Sequence, residues 1–152
     1  MCGLVSIHTE NKNLSDSLFI LDKMIAKIKH RGPDDEGKTH VLNQALFGHR
    51  RLAIIDIKNG QQPMRSDDKR YTLVFNGEIY NYVELKELLV KEGILFTSSS
   101  DTEVLFKLLI KKGSKALDYL NGMFSFVFHD SKTNSWLAAR DHFGIKPLYY
   151  AQ

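Results

Sequence analysis

The sequence predicts an α+β layered domain and not a doubly wound parallel sheet. Three observations carry this: extended, β-branched segments come in runs, helical segments do not alternate with them one for one, and no repeat or low-complexity linker divides the chain. With 152 residues, 43% of them apolar, one domain with its own core is the expected organisation.

Each element follows from local pattern. Gly3 to His8 alternates and is rich in β-branched residues, so it is a short strand. Ser15-Asp16-Ser17 offers N-caps to a helix whose apolar residues Leu18, Leu21, Ile25 and Ile28 recur at three and four, and Gly32-Pro33 stops it. Arg31 to Asp35 reads as a tight loop. Extended pieces are expected at Val41 to Phe47 and Arg51 to Ile57, followed by a polar loop from Lys58 to Arg70. Tyr71 to Phe75 is a strand ending at Asn76-Gly77, and Tyr82 to Glu92 is a helix through Leu85, Leu88 and Leu89 that Gly93 stops. Ile94 to Phe96 is short and extended. Ser100 and Glu103 fit a capping box opening a helix from Asp101 to Lys112, with Val104, Leu105, Leu108 and Leu109 as its buried stripe and Gly113 as its end. A short helix near Lys115 to Leu120 precedes a strand from Met123 to His129, a turn at Asp130 to Ser135 and a return strand through Trp136 to Ala139. Phe124, Phe126, Phe128 and Trp136 alternate as core residues should, and Tyr149-Tyr150 looks like the start of another strand.

Composition excludes several function classes. The net charge of +3 is spread in groups of two or three basic residues, too dispersed for a nucleic-acid footprint. No apolar run approaches the ~18 residues of a membrane span, and the N-terminus lacks the charged and apolar regions of a signal peptide, so a cytoplasmic location is expected. The single cysteine, Cys2, allows no internal disulfide and no Cys-rich zinc site. His30, His49, His129 and His142 are scattered without ligand spacing, so no metal is assigned.

Cys2 is the residue with the most chemistry. Removal of the initiator Met, permitted before a small residue, would put a thiol and a free α-amine on one residue. An α-amine with a reference pKa of about 7.7 to 8.0 is partly unprotonated near neutrality and can accept the thiol proton, directly or through water. An N-terminal cysteine can therefore carry its own general base, since the thiolate is the nucleophile. The competing explanation is a small buried residue at the start of a strand.

The ordered set Met1-Cys2-Gly3, His30-Arg31-Gly32-Pro33-Asp34, Gly48-His49-Arg50-Arg51-Leu52, Asn76-Gly77-Glu78-Ile79-Tyr80-Asn81 and Ser100-Asp101-Thr102-Glu103 resembles the class II glutamine amidotransferases. Within that family the chain is most similar to the glutaminase domains of glutamine-hydrolysing asparagine synthetases, through Gly122-Met123-Phe124-Ser125-Phe126 and the string from Ala139 to Tyr150. Each motif is weak alone; their order from residue 2 to residue 150 is specific. The resemblance implies the N-terminal-nucleophile hydrolase fold, a four-layer α/β/β/α sandwich with antiparallel sheets. It also implies a single glutaminase domain over residues 1–152 that is incomplete at its C-terminal end. The pyrophosphate-loop string of the synthetase domain does not occur, so that domain is expected to be absent, and ATP and magnesium are implied only for it, with no cofactor in this chain.

The resemblance also assigns residues. Glutamine presents a carboxylate, an ammonium and the amide to be cleaved, so its site needs a cation, an anion and an oxyanion hole. A guanidinium binds a carboxylate bidentately, and the family pattern makes the ligand the arginine immediately before the Leu, Arg51, leaving Arg50 as its solvated neighbour. The backbone of Leu52, Ala53, Ile54 and Ile55 is expected to line the pocket. Asn76-Gly77 taken alone is a common hairpin turn, whereas the family makes the Asn76 amide and the Gly77 N–H the oxyanion donors, with Glu78 beside them. Asp101 is either a first-turn acid favoured by the helix dipole or, by resemblance, the ligand of the ammonium. The loop Arg31 to Asp34 supports the nucleophile without doing chemistry. The expected activity is hydrolysis of L-glutamine through a Cys2 thioester, its ammonia normally serving a synthetase domain that makes asparagine. A non-catalytic glutamine- or partner-binding fragment, or a glutaminase domain serving an acceptor other than aspartate, are the alternatives.

Overall fold

The computed structural model describes residues 2–8, 14–41, 44–52 and 60–151. Two antiparallel sheets are packed face to face and each carries helices on its outer side. The first sheet has the order β1-β3-β2, with β1 at Gly3–His8, β2 at Asp35–Val41 and β3 at Ala45–Arg51. The second has the order β4-β5-β6-β7, with β4 at Met64–Arg65, β5 at Tyr71–Ile79, β6 at Gly122–Asp130 and β7 at Ser135–Arg140. Helix α1 (Leu14–Lys27) covers the first sheet; α2 (Tyr82–Lys91) and α3 (Asp101–Lys112) cover the second. The four layers are thus α/β/β/α, as the sequence led us to expect.

Strand alternation explains the layers. In β3, Leu46 joins Val5, Leu21 and Ile25 under α1, while Ala45 and Phe47 point the other way and meet Val74 and Val127 of the second sheet. In β5 and β6, Leu73, Phe75, Ile79, Phe124, Phe126 and Phe128 face α2 and α3, against Leu85, Leu89, Val104, Leu105, Leu108 and Leu109. Each such side chain contributes roughly 1.5–3 kcal/mol by leaving water. The same alternation sends Asn76 and Glu78 of β5 and His49 and Arg51 of β3 toward the space between the sheets. Trp136 faces that space too, stacked on Phe47 at 5.5 Å, and not the helix-side core that takes the three phenylalanines.

Several boundaries differ from the sequence expectation. The strand expected at Val41 to Phe47 is displaced, since β2 ends at Val41 and β3 runs from Ala45 to Arg51, and of the one expected at Arg51 to Ile57 residues 53–57 lie outside the described residues. β2 was not assigned from sequence, because Asp35, Glu36, Lys38 and His40 are polar and show no apolar alternation. It is an edge strand, where charges oppose edge-to-edge pairing, and Lys38 bridges Asp22 at 2.8 Å and Glu36 at 3.2 Å. β4 occupies part of the polar loop expected from Lys58 to Arg70. α1 begins at Leu14, so Ser15, Asp16 and Ser17 lie in its first turn and do not precede it.

β5 does not end at Asn76-Gly77 but continues to Ile79, because Asn76 to Ile79 pair with Ser125 to Gly122 of β6. The short helix near Lys115 to Leu120 is a 3-10 helix, Gly113–Tyr119. Among the described residues Ile94 to Phe96 has no strand partner. Tyr149 and Tyr150 are not in a strand and are 90% and 93% exposed. The capping box at α3 is half formed: the Glu103 N–H donates to Ser100 Oγ at 3.2 Å, but the Glu103 carboxylate reaches further back, accepting from the N–H groups of Thr97 and Ser98. Among the described residues no helix is long and apolar enough to cross a membrane.

Candidate active site

One pocket at the end of the sandwich gathers Cys2, Arg51, Leu52, Asn76, Gly77, Glu78 and Asp101. These are all the sequence-predicted site residues except Ala53, Ile54 and Ile55, which lie outside the described residues. The first sheet supplies the thiol and the guanidinium. Gly3 pairs with Arg50, so Cys2 lies opposite Arg51 one step along. The Leu52 N–H is directed at Cys2 Sγ at 3.4 Å, placing partial positive charge where negative charge would develop, and the thiol points back at the Leu52 carbonyl at 3.8 Å.

Arg51 is 6% exposed and faces the pocket, whereas strand alternation turns Arg50 toward α1. There Arg50 pairs with Glu36 and its Nε donates to the Ile25 carbonyl at 3.4 Å, so it is ion-paired and not the solvated neighbour expected. The Arg31 to Asp34 loop buttresses this strand end. Gly32 lies so close to the backbone of Arg50 and Arg51 that a Cβ would collide with it, and the Asp34 N–H donates to the Arg51 carbonyl at 3.1 Å.

The second sheet supplies an open strand edge. The Ser66 N–H donates to the Tyr71 carbonyl, so by alternation the N–H and C=O groups of Leu73, Phe75, Gly77 and Ile79 face the side that β4 occupies. β4 pairs only with Thr72 and Leu73. Beyond it, the Phe75 N–H is taken by Gln62 Oε1 at 2.6 Å and the Ile79 N–H by Asp101 Oδ2 at 3.0 Å. Between these filled positions the Gly77 N–H opens on the pocket, and no described residue caps it. Glycine is required here: a Cβ would run into the Met123 carbonyl and the Phe124 backbone on the paired strand.

The electrostatics are divided. Arg51 and Lys146 are the basic side chains of the lining, and Asp101 at the start of α3 and Glu78 on β5 are its acids. Burial, reinforced by the Glu78 charge, raises the Asp101 pKa above the ordinary carboxylate value despite the Ile79 and Thr102 N–H groups that oppose it. A carboxylate raised in this way costs stability once pH exceeds its ordinary value, and it gains from any cation that enters beside it. Asp101→Asn keeps an acceptor for the Ile79 N–H and removes that cost. It is expected to leave the thermal midpoint at neutral pH unchanged or higher, while weakening binding of a glutamine ammonium roughly 10- to 100-fold. Thermal melts beside calorimetric titration with glutamine check both halves; a lower midpoint with unchanged affinity would make Asp101 a structural residue only.

Of the histidines named from sequence, none lines the pocket. His30 and His142 are exposed, and His129 is buried against Trp136 with ring centroids 4.5 Å apart. His49 is 1% exposed and donates from Nε2 to the Phe75 carbonyl at 3.0 Å. Burial is the main reason its pKa falls to about 4, so it is neutral at physiological pH.

Seven further residues line the pocket without a site role from sequence, Gln62 and Lys146 among them. Gln62 looked like part of a polar loop. Lys146 lies within a string that was quoted but given no role; it is 3% exposed and reaches the pocket from a loop folded around Asp141. Asp141 accepts the N–H groups of Phe124, Phe143, Ile145 and Lys146 at 2.9–3.2 Å. The usable signal was the isolated Asp followed by Gly144 and Lys146, since a carboxylate that organises a turn commonly precedes a glycine.

Comparison with known proteins shows the family. Residues 1–152 match the family model described as a glutamine amidotransferase domain. Asparagine synthetase (glutamine-hydrolyzing) 1 of Bacillus subtilis is 43% identical over 152 residues, covering 99% of this chain and 24% of its own length. Asparagine synthetase (glutamine-hydrolyzing) of Triphysaria versicolor is 39% identical over 149 residues, covering 98% and 25%. The chain thus spans about a quarter of the length of these relatives. Among solved structures, the glutamine phosphoribosylpyrophosphate amidotransferase of B. subtilis complexed with ADP and GMP superposes with a TM-score of 0.53 at 29% identity, over 66% of this chain and 24% of that one. A shared N-terminal-nucleophile sandwich, a match to the family model across the whole chain, and a pocket built around Cys2 place the chain in the glutamine amidotransferase domain family.

Proposed function

We propose that this chain hydrolyses L-glutamine to glutamate and ammonia through a thioester on Cys2. The observation that carries the reading is the arrangement of one pocket: a thiol, a guanidinium, a pair of acids, and an open Gly77 N–H beside the Asn76 amide. Arg51 takes the substrate α-carboxylate, and Asp101 with Glu78 takes the α-ammonium. The side-chain amide then lies against Cys2.

In the processed protein the Cys2 α-amine accepts the thiol proton, and the thiolate attacks the amide carbon. Negative charge moves to the amide oxygen, where the Asn76 amide and the Gly77 N–H donate to it. The ammonium at Cys2 returns its proton to the leaving nitrogen, the C–N bond breaks, and ammonia departs. Water, deprotonated by the same amine, attacks the thioester; the C–S bond breaks, releasing glutamate and restoring the thiol. The ammonia serves an asparagine-forming synthetase portion, to which ATP and magnesium belong, and the reaction places the chain in asparagine biosynthesis.

The two arginines test the orientation. Arg51→Ala should raise the Michaelis constant for glutamine roughly 100-fold, as expected for a lost bidentate charged contact. Arg50→Ala, which removes only the pair with Glu36 on the α1 side, should change it by no more than about threefold. Equal or reversed effects in a glutamate-release assay would show that the carboxylate is bound elsewhere.

A further inference from the structure

Phe75, Asn76 and Gly77 are consecutive on β5, and the peptide joining Phe75 to Asn76 is held by side chains from outside the sheet. Continuing the β4–β5 register places Gln62 opposite Phe75, yet Gln62 does not pair through its backbone there. Its side-chain amide takes the place of a strand. Oε1 accepts the Phe75 N–H at 2.6 Å, and Nε2 donates to the Phe75 carbonyl at 3.1 Å. The same carbonyl accepts from His49 Nε2 at 3.0 Å, so both of its lone pairs are engaged. All three residues are buried: Gln62 is 9% exposed, His49 1% and Phe75 2%. The clamp therefore works without competition from solvent, and Gln62 itself borders the pocket beside Asn76 and Gly77.

We propose that Gln62, with His49, is a positioning residue for glutamine hydrolysis: it locks the Phe75–Asn76 peptide so that the Asn76 amide and the Gly77 N–H converge on the oxyanion. This rests on the glutaminase reading of the pocket. Donors stabilise a developing charge only if they are already aimed at it, and a displacement of about 1 Å can cost roughly 10²-fold. Gln62 touches neither the substrate nor the thiol in this role, so its effect falls on the transition state and not on ground-state binding.

The test uses the whole chain. Gln62→Met keeps the length of the side chain and removes both hydrogen bonds. Gln62→Glu keeps an acceptor for the Phe75 N–H but sets a second carboxylate oxygen against the Phe75 carbonyl. Both are expected to lower kcat roughly 10- to 100-fold, with glutamine affinity, measured calorimetrically on the Cys2→Ser background, within about threefold of the parent. The Glu variant carries a further signature: its kcat relative to wild type should recover as pH falls, because the protonated carboxyl can again donate to the Phe75 carbonyl. Circular dichroism shows whether each variant is folded, and the isosteric Glu variant decides the matter if the Met variant is not. If the wild type releases glutamate and Gln62→Glu matches its kcat, the inference fails alone. Parallel losses in kcat and affinity would make Gln62 a ground-state contact and overturn it as well. If the wild type releases no glutamate, the reading of the pocket falls and takes this inference with it.

Discussion

Cys2→Ser should reduce glutamate release by at least about 10³-fold while leaving glutamine bound with nearly the parent affinity. A serine hydroxyl is a far weaker acid than a thiol, so an amine of ordinary basicity cannot generate its anion. The substitution touches nothing that holds the rest of the substrate: Arg51 is anchored on β3, Asp101 on α3, and the open edge of β5 belongs to the opposite sheet. The Leu52 N–H, now 3.4 Å from sulfur, would face a hydroxyl oxygen of similar polarity. Two readouts decide the result. Calorimetry should report a glutamine affinity within about threefold of the parent, and mass spectrometry after mixing with glutamine should find a glutamyl adduct on the parent only. Turnover by the serine variant at a comparable rate would remove Cys2 from the chemistry.

Much of this arrangement was legible in the sequence wherever apolar periodicity and a chemical requirement coincided. β1, α2, α3, β6 and β7 lie within a residue or two of their expected positions, because each has a clear buried stripe and a glycine, cap or turn at its ends. β2 and β4 were not legible for a physical reason. Edge strands are held by backbone pairing to a neighbour, and their side chains, such as Asp35, Glu36 and Lys38, answer to solvent, so they carry no apolar alternation. Asn76-Gly77 misled in the opposite direction. The dipeptide signals a hairpin, but pairing with Phe124 and Ser125 across β6 outweighs the local preference and carries β5 through it.

The site divides along the same line. Cys2, Arg51, Asn76, Gly77, Glu78 and Asp101 were given site roles because the motifs that hold them resemble those of a known family, and they meet in one pocket. Gln62 and His49 were not, since what they hold is a main-chain carbonyl, and any polar side chain could be read into such a role. Their function exists only once β3, β5 and the segment before β4 are brought together. Arg50 and Arg51 show how little separates the two cases: adjacent in sequence, they are sent to opposite sides of one strand, one to a surface pair with Glu36 and the other to the pocket.

The free amine at Cys2 carries the second large prediction. A form retaining Met1, or bearing a short N-terminal tag, should be inactive even when folded, because the amine becomes an amide nitrogen with no basicity. The added residue would also occupy space beside the thiol where the substrate amide must lie. In the processed protein, activity should rise with pH as the amine loses its proton, from a reference value of about 7.7 to 8.0 that the site can lower. The described histidines offer no substitute base. His49 is buried and neutral, with its Nε2 proton committed to the Phe75 carbonyl, while His30 and His142 are in solvent and His129 is packed against Trp136. In the proposed reading Asp101 and Glu78 take the substrate ammonium, so proton transfer at the thiol would compete with binding. The deciding measurement is made on an extended protein shown by mass to be intact after the assay and matching the processed form in circular dichroism. Complete loss of glutamate release, with glutamine hydrolysis regained once a protease exposes Cys2, is the expected outcome. Hydrolysis by the extended form at a rate similar to that of the processed one would exclude the amine as base and require another proton acceptor.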